Sequence, residues 1–130
     1  MVKKLPSLSI FFPFYNEEAN IAAQTKDALK IAPQFSQKWE IILVNDGSAD
    51  KTGEIAKELT KKYPGVRAFS HPQNRGYGAA IKTGLKASRY EWIFFSDGDR
   101  QFDLKELGSL IEKSDRADLI IGYRQKRADP

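Results

Sequence analysis

Along most of this chain, short unbroken apolar runs alternate with longer stretches of helical spacing. Residues 8–12, 39–44, 66–70, 91–96 and 118–123 are runs of the first kind, rich in Ile, Val and Phe. Runs of about four to eight such residues suit strands buried on both faces, and the first is predicted to stop at Pro13. Between them, Ile21, Thr25, Ala28, Leu29 and Ala32 share one helical face, as do Ile55, Ala56 and Leu59. A third helix is predicted from near Tyr77 with Ala80, Ile81, Gly84 and Leu85. A fourth carries Leu104, Leu107, Leu110 and Ile111 behind Asp103 as N-cap. Ser48 is the expected cap of the second helix. Strand and helix in alternation predict an α/β fold, a mostly parallel sheet flanked by helices on both faces.

Length and composition narrow this picture. At 130 residues the chain holds at most one domain, and 41% apolar with 12% aromatic residues is enough for a packed core. No repeat or linker interrupts it. It stops at Arg127-Ala128-Asp129-Pro130 directly after a predicted strand, with no closing helix, so residues 1–130 read as the N-terminal part of something longer.

The 21 Lys and Arg against 17 Asp and Glu give a net charge of +4, which favours anionic partners. The positive charges are scattered, with small groups at Lys3-Lys4, Lys61-Lys62 and residues 124–127, so no nucleic-acid stripe is predicted. Zero cysteines exclude disulfides, thiolate metal sites and a Cys nucleophile, and a single histidine excludes any site needing two. No apolar stretch approaches the roughly 20 residues that span a bilayer, so the segment is expected to be soluble by itself.

In an open parallel sheet, ligands bind beyond the carboxyl ends of the strands. Four polar segments fall there: Pro13-Phe14-Tyr15-Asn16-Glu17-Glu18, Asn45-Asp46-Gly47-Ser48, residues 71–78, and Asp97-Gly98-Asp99-Arg100-Gln101. Asp97 and Asp99 flank a glycine, and two hard oxygen ligands with open positions suit Mg²⁺ or Mn²⁺ shared with phosphates. A turn with side-chain to backbone hydrogen bonds is the other reading of that pair. Asp46 reads either as part of a capped strand-to-helix turn or as an acceptor for a nucleobase or ribose. Tyr15 reads as a base-stacking ring, Asn16 beside it as a cap. Gly76 and Gly78 at the start of the third helix let backbone N–H groups approach a phosphate. They do not form the dinucleotide fingerprint, since Ile81 stands where a third glycine belongs, and no Walker-type Gly-Lys-Ser or Gly-Lys-Thr occurs. His71, before Pro72, is expected to be exposed or simply hydrogen-bonded and is assigned no catalytic role. Ser48 lacks the nucleophile elbow of a hydrolase.

Taken together, Pro13-Phe14-Tyr15-Asn16-Glu17, residues 44–52, Asn74-Arg75-Gly76-Tyr77-Gly78 and Asp97-Gly98-Asp99 resemble the family 2 glycosyltransferases in order and spacing, over nearly the whole chain. Residues 74–88, Gln101 and Gly122-Tyr123-Arg124 are similar to the branch of dolichyl-phosphate mannose synthases and bacterial polyprenyl-phosphate glycosyltransferases. The second motif reads Asn45-Asp46 where many members carry two aspartates, and Asp46 keeps its place.

The resemblance implies a GT-A, nucleotide-diphospho-sugar transferase fold and inverting transfer of a sugar from a nucleotide-diphosphate sugar. Pro13, Tyr15 and Glu17 would line the nucleoside pocket, Asp46 would bond the base, and Arg75 and Gly76 would border the pocket. Asp97 would lie near the ribose or diphosphate, and Asp99, as the catalytic residue, would hold a divalent cation (Mn²⁺ or Mg²⁺) with Asp97; Gln101 would support that site. The implied acceptor is a polyprenyl (dolichyl or undecaprenyl) phosphate, met at the cytoplasmic face of a membrane through parts of the protein beyond Pro130. A hydroxyl acceptor on a polysaccharide or glycan, and nucleotide binding without transfer, are the competing readings.

Overall fold

The computed structural model describes residues 4–97. Asp99, Gln101 and the predicted elements at 104–111 and 118–123 lie outside these residues. Within them the chain runs β1 (Leu8–Phe14), α1 (Ile21–Phe35), β2 (Trp39–Asn45), α2 (Thr52–Lys62), β3 (Val66–Ser70), α3 (Tyr77–Ala87) and β4 (Trp92–Phe95). All pairings are parallel and the sheet order is β3-β2-β1-β4. The α/β alternation read from the sequence is therefore the observed one.

Successive residues of a strand face opposite sides, and the two cores follow that alternation. Leu8, Ile10, Phe12, Phe14, Ile41, Leu43 and Phe94 pack with Ile21, Ala28, Ala32, Ala56 and Leu59 of α1 and α2. Phe11, Ile42 and Val44 turn the other way and meet Ala80 of α3, with Phe69, Ile81, Ile93 and Phe95 around them. Phe11 and Phe95 stack at 5.0 Å between ring centroids. On this face the helix backbone comes very close to the sheet, because a Cβ on Gly84 would stand 2.2 Å from Cδ1 of the fully buried Phe11. Only a residue without a side chain permits that approach.

The predicted stop at Pro13 is not observed. β1 continues through Pro13 to Phe14. The Phe14 carbonyl accepts the Asp46 N–H on the β2 side, so Pro13 turns its nitrogen toward β4, whose pairing has already ended at Phe11↔Phe95. No ladder bond is lost. Pro33 sits in the last turn of α1, which closes at Phe35, and its carbonyl accepts Lys4 Nζ at 3.3 Å. The second helix also begins later than a Ser48 cap requires, at Thr52.

At the amino edge of the sheet, β2 buries a carboxylate. Glu40 accepts from Ser9 Oγ at 2.6 Å, from the Arg89 N–H at 2.8 Å, and from the guanidinium groups of Arg67 at 2.8 Å and Arg89 at 2.9 Å. Arg67 also donates to the Ala87 carbonyl at the carboxyl end of α3. Burial pushes the Glu40 pKa up, but the bonds from Ser9, the Arg89 N–H and the two arginines outweigh it and hold the carboxyl below its ordinary value. The resulting stability is complete above the ordinary glutamate range and is lost as pH falls through the lowered folded-state value. Glu40→Gln is expected to cost about 2–3 kcal/mol at neutral pH and to flatten the loss of stability on acidification. Urea unfolding midpoints of both proteins, followed from neutral pH down to about pH 3, check this.

Candidate functional site

The sheet order places a switch point between β1 and β4. The chain leaves β1 for β2 and β3 on one side, then returns to the other side for β4. A crevice outside the carboxyl ends of the two diverging strands is where ligands bind in open α/β sheets. Pro13 and Phe14 end β1 at this point and Tyr15 follows them, while Ser96 and Asp97 follow β4. Pro13 is buried, Tyr15 is 50% exposed and Glu17 is half-buried. Gln24, buried in α1, reaches the Asp97 carbonyl with its Nε2 at 3.5 Å.

The turn after β1 is held against the segment after β2 by backbone-to-side-chain bonds. The Asn16 N–H donates to Ser48 Oγ at 2.9 Å, and Asn16 Oδ1 accepts the Ala49 N–H at 2.8 Å. The Glu17 N–H donates to Thr52 Oγ1 and the Glu18 N–H to Asp50 Oδ2. Asn16 adopts φ 53, a conformation that asparagine tolerates better than most residues. Ser48, expected as the cap of α2, is thus committed to the β1 turn. Asp50 Oδ1 instead accepts the Thr52 N–H at 2.9 Å.

Asp46 is the buried centre of the rim. Its Oδ1 receives His71 Nδ1 at 2.7 Å and the Arg75 N–H at 2.9 Å. Its Oδ2 receives Asn74 Nδ2 at 3.0 Å and the Gly76 N–H at 2.9 Å. Burial raises the Asp46 pKa, and the bonds from His71, Arg75 and Gly76 together with the field of His71 bring it below the ordinary aspartate value. A carboxylate has about four lone-pair sites, and here internal donors occupy them. A base N–H reaching Asp46 must displace one of these bonds.

One expectation changes accordingly, and of the two readings of His71 the hydrogen-bonded one is observed. Of Gly76 and Gly78, read as letting backbone N–H groups approach a phosphate, Gly76 gives its amide to Asp46, as Arg75 does, and Asp46 is itself an anion at the start of α3. His71 is buried, with its second ring nitrogen 2.7 Å from Thr83 Oγ1 on α3. The Arg75 side chain is exposed at the rim. Sequence reasoning singled out neither Thr83 nor Gln24, and named Asn74 only as part of a family motif. The available signal was a lone histidine directly after a strand, facing an Asp-Gly turn across the sheet.

Of the expected metal pair, Asp97 stands half-buried just beyond β4 and Asp99 lies outside the described residues. Among the described residues no group of three or more His, Asp or Glu is placed to hold an ion. A carboxylate at the end of β4 is the hard oxygen donor type that Mg²⁺ and Mn²⁺ take together with phosphates.

A parallel sheet in this order, flanked by helices on both faces, is an open α/β fold, and the solved structures it resembles are GT-A glycosyltransferases. A mannosyltransferase from Pyrobaculum calidifontis, in complex with GDP-Man and Mn²⁺, superposes with a TM-score of 0.70 at 19% identity over 84% of this chain and 34% of its own. S. aureus TarS residues 1–349 in complex with UDP-GlcNAc gives 0.64 at 25% identity over 82% of this chain and 31% of its own. The profile of glycosyl transferase family 2 matches residues 9–129, and the chain belongs to that family. A dolichyl-phosphate beta-glucosyltransferase of Trichomonas vaginalis is 35% identical over 90% of this chain and 40% of its own length. An undecaprenyl-phosphate 4-deoxy-4-formamido-L-arabinose transferase of Edwardsiella ictaluri is 31% identical over 98% and 40%. The chain thus spans about two fifths of the relatives it matches.

Gly47 shows how tightly the rim is assembled. It has φ 66, and a Cβ there would lie 2.1 Å from the Gln73 carbonyl carbon. Gly47→Ala is expected to destabilise the fold by more than about 1 kcal/mol, through both strain and the displaced backbone. Thermal unfolding measures the cost, and faster amide exchange at residues 73–76 than in β2 would locate it.

Proposed function

We propose that the chain is the donor-binding part of an inverting glycosyltransferase that moves a sugar from a nucleotide-diphosphate sugar to a polyprenyl phosphate. The observation that carries this reading is the β1/β4 switch point, with family motifs at the strand ends beside it, in a chain whose curated relatives act on dolichyl and undecaprenyl phosphates by name. In this reading Pro13, Tyr15 and Glu17 line the nucleoside pocket, with the Tyr15 ring free to stack on a base. Asp46 holds the pocket wall through Arg75 and Gly76 and reads the base by exchanging one internal bond. Asp97 lies near the ribose or diphosphate, and Asp97 and Asp99 hold Mn²⁺ or Mg²⁺ with Gln101 supporting that site.

An anionic oxygen of the lipid phosphate attacks the anomeric carbon from the face opposite the nucleotide. The new carbon–oxygen bond forms as the bond to the diphosphate breaks, and the electron pair leaves with the nucleoside diphosphate. Such an acceptor needs no general base, whereas a hydroxyl acceptor does. Departure gathers negative charge on the diphosphate, and the exposed Arg75 guanidinium stands at the rim to meet it. A cation held by the aspartates supplies further electrostatic stabilisation of that charge. No helix among the described residues is long and apolar enough to cross a membrane. Contact with the lipid, at the cytoplasmic face of a membrane, falls to the remaining length that such relatives have.

Calorimetry with UDP and GDP tests the donor half. Binding is expected to be tighter with Mn²⁺ than without it, Asp97→Asn is expected to remove that difference, and Arg75→Ala is expected to weaken binding about tenfold. Equal affinity with and without the metal overturns the cation site. The acceptor is tested with a longer protein containing this chain, a radiolabelled nucleotide sugar and polyprenyl phosphate. Label extracted into organic solvent supports the lipid acceptor, and an active enzyme that leaves the lipid unlabelled moves the acceptor to a hydroxyl.

A further inference from the structure

His71 enters none of the roles above, yet it is the residue on which the others close. The ring is 8% exposed, and both of its nitrogens have partners at 2.7 Å: Nδ1 with Asp46 Oδ1 and Nε2 with Thr83 Oγ1. An ionised carboxylate can only accept, so Nδ1 carries a proton. The Thr83 hydroxyl can donate to Nε2 or accept from it, so the contact persists in either charge state of the ring. The His71 N–H is bonded to the Asn45 carbonyl, which ties the residue to the end of β2 as well.

Those bonds link three bodies: β2 through Asp46, α3 through Thr83, and residues 71–76 of which His71 is the first. The same Asp46 oxygen that meets His71 accepts the Arg75 N–H. Removing the imidazole would leave that oxygen short of a donor in a buried place, free to rotate toward other donors. Arg75 would then lose its backbone anchor while its side chain stayed intact.

We propose that His71 is a positioning residue for the sugar donor, acting through Asp46 and Thr83 to fix the backbone of Arg75 and Gly76 at the pocket wall. This rests on the donor-binding reading and adds to it a residue that touches no ligand. It also assigns the two ring nitrogens separate tasks. Nδ1 fixes the carboxylate, and Nε2 fixes the helix that follows the segment.

The experiment uses the 130-residue chain and a set of variants that separate the nitrogens. His71→Phe keeps the bulk and removes both bonds, His71→Asn restores a donor near Nδ1, and Thr83→Val removes the Nε2 partner alone. Amide exchange at Arg75 and Gly76 is read by NMR against β2, and the Kd for UDP and GDP by calorimetry. In His71→Phe, exchange at these two amides is expected to quicken and the Kd to rise, each about tenfold. His71→Asn should recover most of both, and Thr83→Val should fall between.

Leu59→Ala, a core cut beneath α2 on the opposite face, supplies a destabilised control that is expected to leave Kd unchanged. Should His71→Phe fail to fold, Thr83→Val and His71→Asn carry the test. Unaltered Arg75 and Gly76 exchange in the variants overturns the positioning role. Altered exchange with an unaltered Kd makes His71 structural only and also overturns it. A chain that binds neither nucleotide under any condition refutes the donor reading itself, a result distinct from either.

Discussion

Helix α3 hangs between two buried carboxylates of one strand, and the rim takes its shape from that suspension. Asp46 at the carboxyl end of β2 binds the two amides that lead into the helix, and Glu40 near the amino end binds the amide and guanidinium of Arg89 just after it. The dimensions agree. Six residues of strand at about 3.3 Å each and the thirteen steps from Gly76 to Arg89 at about 1.5 Å each both come to roughly 20 Å. The charges suit the helix dipole as well, with a carboxylate at its start and Arg67 on the Ala87 carbonyl at its end.

Both carboxylates are ionised groups taken out of water, which is unfavourable unless their lone pairs are met by donors. Here the donors come from segments far apart in sequence: residues 9, 67 and 89 for Glu40, and 71 to 76 for Asp46. Loops that would otherwise be loose become part of the sheet's polar framework. The turn after β1 is fixed in the same manner by Ser48, Asp50 and Thr52. Backbone amides held in this way by side chains are already ordered, so under the proposed donor-binding role less conformational freedom would be lost on binding.

The sequence made the strands, the three helices and the parallel order legible because buried strands are continuous apolar runs and the helices keep a clean periodicity. Proline misled at Pro13, since a side-chain pattern does not reveal which strand edge lacks a partner. Ser48 misled because a cap and a tertiary bond use the same hydroxyl, and only the fold shows that Asn16 lies within reach. The motif residues that the structure describes do lie at and beyond the strand ends. What they could not convey was the occupancy of Asp46. Its four donors are set by how α3 and residues 71–76 fold back over Gly47, and no local spacing encodes that. His71 was hidden for the same reason, as a polar residue beside a proline reads as loop until its two partners are placed around it.

The close contact of Gly84 with Phe11 makes α3 a lever with a fixed fulcrum. The helix enters at Gly76, pinned by Asp46, and Gly84 lies about 12 Å along it at 1.5 Å per residue. Any side chain at 84 acts as a wedge near the far end, and a lift of about 1 Å there is a tilt of roughly five degrees about the pin. Thr83 is the neighbouring residue and moves with the wedge, whereas His71 is tied to β2 and does not. The thickness of one hydrogen atom at the middle of the fold therefore sets the alignment of a contact that serves the rim.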